Sequence, residues 1–129
     1  MQPVEDRACF PVQERIKSSL AIKSVMDEKK CVSSFPLKCY YRLVPRNEAA
    51  SQLAVVASKR RFKHAIDRNR IKRMMREAYR LNKGSVTIPD NSTLQMCWIF
   101  IGRELPEYQQ LSEAAVKLFS KIQSAISES

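Results

Sequence analysis

The sequence predicts an α/β sandwich, with helices packed on a small sheet. Apolar residues recur at helical spacing in three stretches, near residues 16–26, 71–81 and 108–126. Residues 35–44 alternate with a period of two, and residues 52–57 and 94–101 are apolar runs of strand length. The order is therefore helix, two strands, helix, strand, helix, an arrangement that buries its apolar faces by laying helices on a sheet. The 129 residues, 44% of them hydrophobic, suit a single domain with a real core.

Each element has its own justification. Residues 1–13 hold Pro3 and Pro11 and show no period, so they read as a flexible N-terminal extension, leaving residues 14–129 as one domain. Arg15 to Glu28 places Ile16, Leu20, Ile22, Val25 and Met26 at amphipathic-helix spacing. In the first strand Phe35, Leu37, Cys39, Tyr41 and Leu43 form an apolar side, while Lys38, Tyr40 and Arg42 form a basic and aromatic one. Pro45-Arg46-Asn47 ends it. Gln52 to Ala57 reads as a buried strand. A long helix starts between Lys63 and Asp67 and stops near Asn82-Lys83, with Gly84 in the C′ position. Leu94 to Ile101 is apolar on both faces, as an interior strand should be. Pro106 stands where a first helical residue belongs, and Tyr108, Leu111, Ala115, Leu118, Ile122 and Ile126 form the core stripe of the last helix.

Composition narrows the chemistry. Only Gly84 and Gly102 are glycine, so a Gly-rich phosphate loop is excluded. His64 is the single histidine, which excludes a multi-histidine metal site. Cys9, Cys31, Cys39 and Cys97 have no zinc-ligand spacing; Cys39 and Cys97 read as buried small hydrophobes, and Cys9 and Cys31 as surface thiols. Without a disulfide framework, a reducing cytoplasm fits. The longest apolar run, Met96 to Ile101, is far too short for a bilayer, and the first residues lack the pattern of a signal peptide, so a soluble cytoplasmic protein is expected.

Charge is concentrated in one segment. Residues 59–83 hold eleven Lys/Arg against Asp67 and Glu77, a balance of +9, whereas the rest of the chain holds twelve basic and eleven acidic residues. Like charges this dense repel one another, so an external polyanion is the natural partner. At about 100° per residue, Ile71, Met74, Met75, Ala78 and Leu81 gather into a buried stripe. Arg68, Asn69, Arg70, Lys72, Arg73, Arg76 and Arg80 fall on one continuous opposite face, interrupted by Glu77. Tyr79 lies on the border. The preference for arginine suits phosphate, which its planar fork grips with two hydrogen bonds. A membrane surface is disfavoured, because the apolar side of this helix is needed for the core.

The string from Ser58 to Arg80, with its centre Arg68-Asn69-Arg70-Ile71-Lys72-Arg73 followed by Arg76-Glu77, resembles the signature of the bacterial ribonuclease P protein subunit. Residues 14–18 resemble the family's opening, and residues 35–41 its early strand. The resemblance covers roughly residues 14–125. It implies a four-stranded sheet with three helices, like the second domain of ribosomal protein S5, with a left-handed βαβ crossover where general rules favour a right-handed one. It implies a 1:1 complex with the large catalytic RNA of ribonuclease P and a role in removing the 5′ leader of precursor tRNA. The holoenzyme requires Mg2+, which the resemblance assigns to the RNA, leaving no catalytic residue, metal site or cofactor in the protein.

Residue by residue, the resemblance places Arg68, Asn69, Arg70, Lys72 and Arg73 on the helix that contacts the catalytic RNA, and Lys59, Arg60 and Lys63 in the basic loop before it. Arg61, Arg76 and Arg80 extend that surface. Tyr40 corresponds to a tyrosine lining the leader cleft, and Lys38 and Arg42 share its face. Ile22 and Met26 stand where the family often has phenylalanines facing the cleft. Asp67 and Glu77 lie ten residues apart, about 15 Å along a helix, whereas a two-metal site needs carboxylates around ions ~4 Å apart. The alternative reading is a structural RNA-binding protein of ribosomal type with no part in cleavage.

Overall fold

The computed structural model describes residues 14–16 and 18–127. The extension expected over residues 1–13, with Cys9, lies outside them. The elements are helix α1 (Ser19–Asp27), strands β1 (Cys31–Ser34), β2 (Leu37–Pro45) and β3 (Ser51–Ala57), helix α2 (Ala65–Asn82), a 3-10 turn (Lys83–Ser85), strand β4 (Ser92–Phe100) and helix α3 (Tyr108–Ser127). The sheet order is β1-β2-β4-β3. β1 and β2, and β2 and β4, run antiparallel, while β3 and β4 are parallel and joined through α2. Among the described residues, four strands and three helices make the expected α+β sandwich.

Two apolar clusters lie on opposite faces of the sheet. The larger joins Leu37, Cys39, Leu53, Leu94, Met96, Trp98 and Phe100 of the strands to Ile71, Met75, Ala78 and Tyr79 of α2 and to Leu111, Ala115, Leu118, Phe119 and Ile122 of α3. Trp98 is its centre, edge-on to Phe119 at 5.7 Å and to Tyr79 at 6.2 Å between centroids. The smaller cluster packs α1 against the other face, with Val25 fully buried beside Ala54 and Cys97 and with Ile22, Met26 and Tyr40 half-buried around them. Cys39 and Cys97 are buried and Cys31 is exposed, as expected. Burial drives the Cys39 thiol well above its ordinary range and pushes Cys97 up to about 11, so both stay protonated.

Several expectations need correction. The first helix begins at Ser19, capped by Ser18, whose hydroxyl accepts the Ala21 amide. Arg15 and Ile16 instead run parallel to the β3 edge beside Leu53. Leu20 is 77% exposed, because α1 turns Ala21, Ile22, Val25 and Met26 to the sheet. Phe35 belongs to the turn between β1 and β2 and is 69% exposed, not part of the apolar side of β2. On α2 the buried stripe is rotated towards Tyr79, which is fully buried, while Leu81 is 56% exposed. The α2 helix runs into a 3-10 turn, so Gly84 does not take the left-handed C′ conformation. Pro106 precedes α3 by two residues and is not its first helical residue.

Tyr79 explains how the chain before α1 is fixed. Its hydroxyl is within 2.6 Å of Ser51 Oγ on β3 and donates to Glu14 Oε1 at 2.5 Å. Lys83 Nζ reaches both Glu14 oxygens at 2.7 and 2.8 Å. Burial, reinforced by the bond to Glu14, raises the phenol pKa far above its ordinary value and keeps it a donor. The network ties residue 14 to both ends of the βα unit.

Candidate nucleic-acid interface

The basic segment divides into a pinned loop and a helix face. Phe62 is buried, its ring 5.7 Å from that of Phe100. Its amide donates to Ser58 O at 3.0 Å, and the Arg60 amide donates to Ser58 Oγ at 3.1 Å. Arg61 donates to the carbonyl of Ile101, closing the loop on the end of β4. Arg68 folds back from the first turn of α2 and gives its Nη1 to Phe62 O at 2.9 Å and Lys63 O at 3.0 Å. Arg61 and Arg68 therefore hold the loop as well as adding charge to it. Among the described residues no protein group pairs with the side chains of Lys59, Arg60 or Lys63, which face solvent from a fixed backbone.

On α2, Asn69, Arg70 and Arg73 are exposed, and among the described residues none of their side chains hydrogen-bonds or ion-pairs with the protein. Lys72 and Arg76 are half-buried along the flank. Burial, and secondarily the nearby Arg15 guanidinium, pull the Arg76 pKa below its ordinary value, though an arginine remains charged. Arg80 turns to Glu77, with Nε to Oε1 at 3.1 Å, so its charge is partly answered within the helix. The outward centre of the surface is thus Asn69, Arg70 and Arg73, bordered by Lys72 and Arg76.

The second candidate surface lies on the face that α1 packs. Lys38, Tyr40 and Arg42 project from β2 in alternate positions, as the period of two predicts. The Lys38 ammonium sits 5.2 Å from the Tyr40 ring centroid, and the neighbouring Tyr40 side chain raises its pKa above the ordinary lysine value. Ile22 and Met26 wall this row from α1. Arg42 donates Nε to Gln95 Oε1 at 2.8 Å across the strand pair. The two surfaces adjoin at one end of the sheet. There Leu37 pairs with Phe100, Ala57 pairs with Phe100 from the other side, and the basic loop departs after Ala57. The strand alternation predicts the row, whereas nothing in the sequence marks Gln95 and Gln52, its neighbours across the sheet, because only strand register brings them together.

Among the described residues no three His, Cys, Asp or Glu side chains are grouped so as to hold a metal ion, and no helix is long and apolar enough to cross a membrane.

A small α+β domain with a pinned basic loop, a cationic helix and a lysine–tyrosine–arginine row on the opposite sheet face has counterparts among known proteins. The family model for ribonuclease P matches residues 10–123. The ribonuclease P protein component of Porphyromonas gingivalis is 35% identical over 84% of this chain and 82% of its own length. That of Chlorobium phaeobacteroides is 30% identical over 82% of each. Among solved structures, the ribonuclease P protein of Thermotoga maritima superimposes with a TM-score of 0.68 at 20% identity, covering 84% of this chain and 96% of its own. The Staphylococcus aureus protein gives 0.64 at 20% identity, with 84% and 94% covered. The chain belongs to the ribonuclease P protein family.

Proposed function

We propose that this protein binds the catalytic RNA of ribonuclease P through α2 and its loop and holds the 5′ leader of precursor tRNA on the β2 face, supporting removal of the leader. The observation that carries the reading is the division of cationic surface between two faces that meet at one end of the sheet. Lys59, Arg60, Lys63, Asn69, Arg70, Lys72, Arg73 and Arg76 supply the contact with structured RNA, where phosphate forks provide most of the affinity. Arg61, Arg68 and Arg80 contribute charge from positions already committed to the protein. Lys38, Tyr40 and Arg42 form a single-strand platform on which a base stacks on Tyr40 while the flanking cations take phosphates.

Cleavage itself is assigned to the RNA, together with the Mg2+ that the holoenzyme requires. Asp67 stands in the first turn of α2 and Glu77 in its second half, engaged by Arg80. The protein acts in the cytoplasm as one copy per RNA. Its contribution is to hold the leader in place, so the chemical step starts from an oriented substrate.

The test is processing of a precursor tRNA by ribonuclease P RNA at low Mg2+, with and without the protein. Strong stimulation, lost in Arg70→Ala/Arg73→Ala, supports the assignment. Tight RNA binding without stimulation would instead identify a structural RNA-binding protein of ribosomal type.

A further inference from the structure

Gln95, Gln52 and Asn47 join Arg42 in a polar ladder across three strands. Arg42 Nε donates to Gln95 Oε1 at 2.8 Å. Gln95 Nε2 donates to Gln52 Oε1 at 2.8 Å, and Asn47 Nδ2 donates to the same oxygen at 3.2 Å. The register explains the alignment, because Arg42 pairs with Gln95 and Gln95 pairs with Gln52 across neighbouring strands. Asn47 is anchored in turn: its Oδ1 accepts the Ala49 amide at 3.0 Å, and its own amide donates to buried Thr93 Oγ1 at 3.0 Å.

The direction of these bonds is dictated. A guanidinium has donors and no acceptor, so the atom of Gln95 facing Arg42 must be the carbonyl oxygen. That turns the Gln95 amino group to β3, where Gln52 must present its oxygen. Gln95 is only 9% exposed, so its amide needs partners on both sides. Arg42 is thus held at one nitrogen. Among the described residues its two Nη groups make no hydrogen bond, leaving both for a ligand.

We infer that Gln95, supported by Gln52 and Asn47, is a positioning residue that fixes the Arg42 fork for one leader phosphate, one step along β2 from the base stacked on Tyr40. An unheld arginine loses side-chain entropy when it grips phosphate; one already oriented loses less. The inference rests on the leader-cleft reading and adds to it a cross-strand group that does not itself touch RNA.

The experiment uses holoenzyme reconstituted from ribonuclease P RNA and this protein. It measures affinity for precursor tRNA with its leader and for mature tRNA. Gln95→Leu is expected to weaken leader-dependent affinity about tenfold, the scale of a hydrogen bond to a charged group, without changing affinity for mature tRNA. Gln95→Glu, which still accepts from Arg42, should retain most of it. In an Arg42→Ala background Gln95→Leu should cost nothing more. Equal losses with and without Arg42, or no loss in Gln95→Leu while Arg42→Ala is impaired, overturns the positioning role. If Arg42→Ala itself leaves leader affinity intact, the leader-cleft reading of Arg42 fails first.

Discussion

Arg68 and Arg70 are two residues apart in one motif, yet their side chains meet different surroundings. Arg68 bonds the carbonyls of Phe62 and Lys63, whereas Arg70 is exposed, and among the described residues no protein group pairs with it. Arg68→Ala should therefore lower stability by about 1–2 kcal/mol, since two carbonyls lose a charged donor and the loop loses its tie to the helix. Arg70→Ala should leave urea denaturation unchanged within ~0.5 kcal/mol, yet weaken binding to the catalytic RNA. Denaturation curves and RNA titrations on both variants separate the roles; equal destabilisation would show that Arg70 is also tied to the fold. Sequence alone could not make this distinction. A helical wheel places both arginines on the polar face, and only the path of the preceding loop brings carbonyls within reach of one of them.

At the scale of elements, the two helix ends exchange what the sequence suggests. Gly84 looks like the left-handed residue that closes a helix, but α2 continues into a 3-10 turn and no glycine in the described residues has positive φ. Lys29, just after α1, has φ 63°, the conformation that glycine adopts at least cost. Lys29→Gly should thus stabilise the protein by up to about 1 kcal/mol. Gly84→Ala should stabilise it by ~0.4–1 kcal/mol, because a Cβ there meets nothing within 4 Å and the unfolded chain loses freedom. Thermal melts decide both, and a loss of stability in Gly84→Ala would restore the sequence-based assignment. The elements that were legible are those whose pattern is self-sufficient: β2 by alternation, β4 by its unbroken apolar run, α3 by its stripe. The four-residue β1 was not, since Cys31–Ser34 is small and largely polar and is a strand through pairing with β2. Tyr79 was undecidable for a similar reason. It lies at the stripe's border, and its burial follows from partners on the 14–16 segment and β3.

At the scale of the whole molecule, the α2 face offers charge alone while the β2 face combines charge with stacking, and salt should tell their residues apart. Each phosphate neutralised by a cation releases condensed counterions, giving a log–log slope of about −0.9 per contact on duplex and about −0.7 on single strands. Arg70 and Arg73 stand on the exposed centre of α2. Removing both should reduce the magnitude of the slope for catalytic-RNA binding by about 1.5–2 and weaken binding most at low salt. Tyr40→Ala removes a stacking surface and no charge. It should lower affinity for leader-bearing precursor at every salt concentration, leave the slope unchanged, and have no effect on mature tRNA. Titrations across a range of salt concentrations check both variants. A Tyr40→Ala slope that falls with that of the arginine pair would mean that Tyr40 serves to hold the phosphate contacts of its flanking cations and does not stack a base.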